Sequence, residues 1–296
     1  MGVLVEYSIR KIPNDYAYKN EWLSKNSQDV EILALGASSI LHDINPEYFN
    51  KKGFNAAHLS QSLKYDNFIF SKFIDDMPSL EYVILGVDYW SPFGSMEDSP
   101  ENWRIKYYNI HYGSKIHRWE GKYNYEIYYL NTGTLKIAMG GLLTTLGLRN
   151  YSHRTVNELG YGVNYTLNNR MPEWDNGDFE ALRHNELISS SISDKSISEN
   201  KQYVEDIIRK CAEKDIKVLI VNSPLYKSYL DNQKNEYLEQ QKSFCNYFAE
   251  NYSNVELYDF RGDIRFTEND FYDSNHLNEI GSKKFTMILD SVIVNQ

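Results

Sequence analysis

Five short apolar runs, rich in β-branched residues and bounded by turns, most narrow what this chain can fold into. They occupy residues 31–36, 54–57, 82–86, 217–222 and 255–260. Continuous apolar runs of that length suit strands buried on both faces, the condition of a parallel sheet. Helical patterns separate most of them. Residues 61–76 set Leu63, Phe68, Phe70, Phe73 and Ile74 roughly on one stripe, and residues 199–214 carry Tyr203, Ile207, Ile208 and Cys211 at helical spacing with charges opposite. Residues 233–252 and 282–293 read as two more helices. Such alternation predicts an α/β fold of three layers, a parallel sheet between helices.

The alternation stops between about residues 89 and 194, a stretch rich in Trp, Tyr, Asn and Gly and too long for an ordinary βα loop. We read it as an insertion after the third strand, with 1–30 as an N-terminal lead-in and 31–296 as the main domain. The carboxyl ends of strands in an open sheet are where ligands bind, so the insertion should border the site. Its apolar run at 135–148, with Gly140, Gly141 and Gly147, reads either as a buried helix or as an acyl-binding or membrane-touching surface. The polar stretch 189–198 reads as a mobile link between insertion and scaffold.

Charge and composition exclude some partners. Lys and Arg number 31 against 41 Asp and Glu, a net charge of −10, and no compensating basic block stands out along the chain. A phosphate backbone would be repelled over most of such a surface, so no nucleic-acid partner is expected. No apolar run reaches the roughly 20 residues that cross a bilayer, although the apolar opening Met1-Gly2-Val3-Leu4-Val5 reads like the exit of an upstream segment. The 25 Tyr suit grooves in which a ring stacks on a sugar. Cys211 and Cys245 fall in helical patterns, and His111, His117, His153 and His184 lack metal-ligand spacing, so neither metal nor cofactor is expected. Arg104, Lys106, His117, Arg118 and Trp119 read as a solvated basic patch or as a hold for an anionic sugar.

Two short segments carry chemistry. Leu35-Gly36-Ala37-Ser38-Ser39 directly follows the first strand, where a small-residue turn either caps a helix or exposes a nucleophilic hydroxyl at the sheet edge. Near the C-terminus, Asp273-Ser274-Asn275-His276-Leu277-Asn278 sets an Asp three residues before a His. On one turn, that carboxylate can hold imidazole Nδ1 and leave Nε2 to take a proton from a hydroxyl.

Together these segments resemble the SGNH (GDSL-like) hydrolase superfamily, whose sheet is flavodoxin-like. Gly36-Ala37-Ser38 is similar to its first block and the Asp273 to Asn278 segment to its last. Asn55-Ala56-Ala57-His58-Leu59-Ser60 is similar to the second, with Ser60 in place of the usual oxyanion glycine. Gly86-Val87-Asp88-Tyr89 is similar to the third, with Asp88 in place of an amide-donating asparagine. The resemblance implies Ser38 as nucleophile, His276 as base, Asp273 as its orienting acid, and Ser38, Ser60 and Asp88 around the oxyanion. An ionised Asp88 accepts hydrogen bonds and cannot donate one, which puts its part in question. His42, Tyr89 and Trp90 are the expected substrate contacts.

Ile44-Asn45-Pro46-Glu47-Tyr48-Phe49 and the Gln61-Ser62 step resemble a branch associated with bacterial surface-polysaccharide gene clusters. That likeness implies a serine esterase or O-acyl (acetyl) transferase acting on envelope glycans. It also implies an upstream membrane anchor and an extracytoplasmic, periplasmic or cell-surface location, with a cytoplasmic esterase as the other arrangement. A catalytically degenerate glycan-binding member of the same fold is the alternative function.

Overall fold

In a computed structural model, residues 2–128 and 132–295 are described. In chain order the strands are β1 (Ile32–Leu35), β2 (Gly53–Asn55), β3 (Tyr82–Gly86), β4 (Lys217–Asn222), β5 (Val255–Asp259), β6 (Phe271–Asp273) and β7 (His276–Leu277). The α-helices are α1 (Gly2–Arg10), α2 (Asp15–Asn26), α3 (Ser38–Asp43), α4 (Leu63–Phe73), α5 (Ile105–His111), α6 (Thr132–Thr145), α7 (Gly177–Ser191), α8 (Asp194–Ala212), α9 (Lys227–Leu230), α10 (Asn235–Asn251) and α11 (Glu279–Val294).

The five apolar runs form one parallel sheet in the order β2-β1-β3-β4-β5, flanked by helices. This is the order of doubly wound, flavodoxin-like sheets. β1, β3 and β4 are buried along almost their whole length, as their unbroken apolar sequences require, whereas the edge strand β5 is half-exposed beyond Val255. The helices bury one stripe each, such as Val204, Ile207, Ile208 and Cys211 on α8. On α4 the stripe runs through Leu63, Ile69, Phe70 and Phe73, with Ile69 buried in place of the expected Phe68. Because the strands are parallel, the segments after β1, β2 and β3 all leave the same edge of the sheet.

The chain divides into two compact units. The sheet unit comprises residues 26–99 and 156–296, and the second unit joins residues 1–25 to 100–155. The expected lead-in and insertion are therefore shared out differently: most of the lead-in belongs with the middle of the insertion, and both flanks of the insertion stay with the sheet. The expected mobile link at 189–198 is the end of α7 and the start of α8, joined through Ile192 and Ser193. Ser193 caps α8, its hydroxyl accepting from Ser196 N–H, so the serines there act as a helix start.

In the second unit α1 packs on α6, with Ile9, Ile12 and Ala138 as a small core. A Cβ on Gly141 would lie 2.3 Å from the Ser8 carbonyl oxygen, so glycine lets the two helices meet. Ala138, Gly140 and Gly141 of α6 are thus buried, while Leu135, Met139 and Leu142 face outward, contrary to the buried-helix reading. Charge is nevertheless divided unevenly between the units. The second unit holds twelve Lys and Arg against six Asp and Glu, a net +6, while the sheet unit carries −16 of the chain's −10 total. The two segments had to be brought together for that charge to accumulate.

Candidate active site

The turn after β1 is built on close approach. Gly36 has φ +145, and a Cβ there would lie 2.6 Å from Ile40 Cγ1; one on Gly86, at the end of β3, would lie 2.2 Å from the same atom. The two glycines let α3 settle against the strand ends. Ser38 opens α3, where the first N–H groups have no acceptor within the helix. It is half-buried in a run otherwise buried from Ile32 to Pro46. Asn55 fixes the far end of the helix, its side-chain amide donating to the Ile40 and Ile44 carbonyls at 2.7 and 2.8 Å.

The acid and the imidazole come from a tight hairpin. β6 and β7 pair antiparallel with Asp273 opposite His276, across the Ser274-Asn275 turn. Asp273 Oδ1 accepts the Asn275 N–H at 3.0 Å, which shapes the turn, and its two oxygens lie 2.9 and 3.0 Å from His276 Nδ1. With Nδ1 donating to the carboxylate, Nε2 is left as acceptor, and it lies 2.8 Å from Ser38 Oγ. A serine, a histidine and an aspartate from opposite ends of the chain thus form one hydrogen-bonded line.

Carboxylates surround that line. Asp43, on the last turn of α3 and fully buried, accepts the Leu277 N–H at 2.8 Å and so ties the helix that carries Ser38 to the strand that carries His276. Burial pushes Asp43 up to about 8, against the pull of His276 and the Leu277 N–H. Burial lowers the affinity of His276 for a proton, but the charge and hydrogen bond of Asp273, with Asp43 and Asp88 behind them, outweigh it and raise the imidazole to about 9. Asp273 is raised by burial and more strongly lowered by His276, ending below the usual carboxylate range. The arrangement therefore stabilises a protonated imidazole beside Ser38.

Asp88 points at the neighbouring serine. Its oxygens accept the Ser39 hydroxyl at 2.7 and 2.9 Å, and burial raises its pKa. Its carboxylate thus buttresses the start of α3. Ser60 stands in the left-handed region at φ 56, the conformation that glycine adopts without strain. Next to it the Gln61 side-chain amide donates to buried Asp66 at 2.7 Å, and Asp66 also takes a backbone hydrogen bond from Gly36. One carboxylate thus joins the Ser60 loop to the Ser38 turn. Burial holds Asp66 up at about 7.

Of the three expected substrate contacts, His42 lies beside the site, its ring edge-on to His276 at 6.2 Å, whereas Tyr89 and Trp90 do not. His42 is buried, its Nδ1 3.1 Å from the Gly162 carbonyl oxygen and its ring stacked 3.6 Å from Tyr165. Tyr89 is buried with its hydroxyl donating to Asn185 at 2.7 Å, and Trp90 packs on the same apolar cluster. Tyr89 and Trp90 are packing residues, because strand β3 delivers them into a cluster with Phe93, Ile188 and Tyr237. The aromatic wall beside the imidazole is instead Tyr165 stacked on Tyr272 at 3.9 Å, with Tyr165 edge-on to His276 at 5.2 Å. Tyr272 precedes Asp273 in the chain, but no local pattern links it to Tyr165, and Asp43 and Ser39 likewise carry no separate sequence signal.

Among the described residues no group of three or more His, Cys, Asp and Glu is arranged to hold a metal ion. A family model matches residues 171–296, which include β4 and the Asp273–His276 hairpin, and it names no activity. No curated protein matches the chain.

Proposed function

We propose that this protein is a serine-dependent carbohydrate O-acyltransferase or esterase of the SGNH kind, acting on bacterial surface polysaccharide at the extracytoplasmic face of the cell envelope. The observation that carries the reading is the Ser38–His276–Asp273 line at the carboxyl edge of the parallel sheet. Ser38 Oγ attacks the acyl carbonyl as its proton passes to His276 Nε2. The Ser38 and Ser60 N–H groups donate to the oxygen that becomes negative. The imidazolium then protonates the departing alkoxide, leaving the acyl group on Ser38. A sugar hydroxyl or water, deprotonated by the same imidazole, takes the acyl group and restores the serine.

Tyr272, the half-buried end of the His42–Tyr165–Tyr272 stack, favours a sugar as acceptor, since an aromatic ring at a site edge offers a pyranose a surface to pack on. The test is labelling by a fluorophosphonate, followed by decay of an acetyl-enzyme with and without oligosaccharides. Labelling at Ser38 that Ser38→Ala removes, with decay hastened by glycan, is the expected result. Absence of labelling leaves a glycan-binding protein, and decay indifferent to glycan leaves a plain esterase.

A further inference from the structure

On α6 and the residue just past its end, Leu135, Met139, Leu142 and Leu146 recur at i, i+4, i+7 and i+11 along one side, yet they are 49, 57, 42 and 60% exposed. Water-facing helices turn such stripes inward. Here the opposite face, with Ala138 and Gly141, is the one packed on α1. Leu148 beyond the helix and Val3, Leu4 and Tyr7 on α1 are exposed as well. The chain from 127 to 157 contains no Asp or Glu and has Lys136, Arg149 and Arg154, within a unit of net charge +6.

We propose that α1 and α6 form a membrane-docking face that lies in the surface of an anionic bilayer. Residues 127–157 set outward apolar side chains beside cations with no acid among them, and the one acid of α1, Glu6, is held by Arg10 and by the Glu126 and Ile127 N–H groups; this matches the boundary between acyl chains and anionic headgroups. The 14 residues of α6 span roughly 21 Å, short of the roughly 30 Å hydrocarbon core, so the helix lies along the membrane. No helix among the described residues is long and apolar enough to cross one. A second copy pairing along the stripe would bury the leucines but bring two units of net charge +6 together with nothing to neutralise them. A bare polyanion would meet the cations and leave the leucines unburied.

The inference is independent of the chemistry at Ser38. The full chain is floated with vesicles of phosphatidylcholine alone and of phosphatidylcholine mixed with phosphatidylglycerol. It should float with the anionic vesicles, less so as salt is added. Met139→Glu and Leu142→Glu should each weaken partition by about tenfold or more. These positions are exposed, so unchanged melting curves should accompany the loss. Leu146→Trp should shift its emission to the blue only when anionic vesicles are present. Failure to float with either vesicle overturns the proposal, as does flotation that Met139→Glu leaves unchanged. Self-association abolished by Leu142→Glu without vesicle binding assigns the face to a second copy, and heparin retention without vesicle binding assigns it to polyanions; either result overturns it.

Discussion

The two units of this chain treat charge and apolar surface in opposite ways. The sheet unit, at −16, draws its acids inward: Asp43, Asp66, Asp88 and Asp273 lie around the Ser38 turn and His276. The unit of residues 1–25 and 100–155, at +6, turns large apolar side chains outward on α1 and α6. Buried carboxylates are costly unless something they hold makes use of them, and exposed leucines are costly unless something covers them. The contrast teaches that each unit departs from ordinary folding economy at one place, and that the places differ in kind, one suited to chemistry and the other to a surface.

Ser38→Ala is expected to have the largest effect. It should abolish hydrolysis of an aryl acetate, a loss of about 10⁴-fold or more, with flotation on anionic vesicles unchanged. Loss of both together would erase the division of labour. Asp273→Asn should lower kcat by roughly 10⁴, because an amide favours the wrong imidazole tautomer. A fall under tenfold would mean that Asp273 does not orient His276.

Met139→Glu is the converse experiment: partition onto vesicles falls about tenfold, while turnover of a soluble ester stays at the parent value. A turnover change would show that the outward helix face serves the site.

The pH profile comes next. The base must be neutral to accept the serine proton, and His276 is raised to about 9, so kcat/KM should climb with pH on the alkaline side of neutrality. Asp43→Asn removes one of the charges that raise the imidazole, so the rising limb should move to lower pH. An unmoved limb would separate Asp43 from the titration. The smallest effect is expected for Ser60→Gly, which relieves a left-handed residue and should stabilise the fold by up to about 1 kcal/mol with activity retained. Loss of stability on denaturant titration would contradict it.

The extent to which the chain's own pattern announced these features follows the range of the forces involved. Sequence alone determined the five strands, the helices that alternate with them and the Asp273–His276 pair, because burial on both faces, helical stripes and a two-residue hairpin turn are written in neighbouring residues. Likeness to a family, more than any local signal, linked that pair to Ser38, 238 positions away. Other features were decided in three dimensions. Asp88 turned to Ser39, Tyr89 and Trp90 went into packing, and Tyr165 came to stack on Tyr272, since each outcome depends on which side chain a distant segment supplies. The basic unit is of the same kind. Its cations come from two stretches separated by the first half of the sheet, and only the packing of α1 on α6 gathers them and turns the leucines outward. Local periodicity says that a helix has an apolar face; the neighbour that covers the opposite face decides whether it looks to the core or to the surroundings.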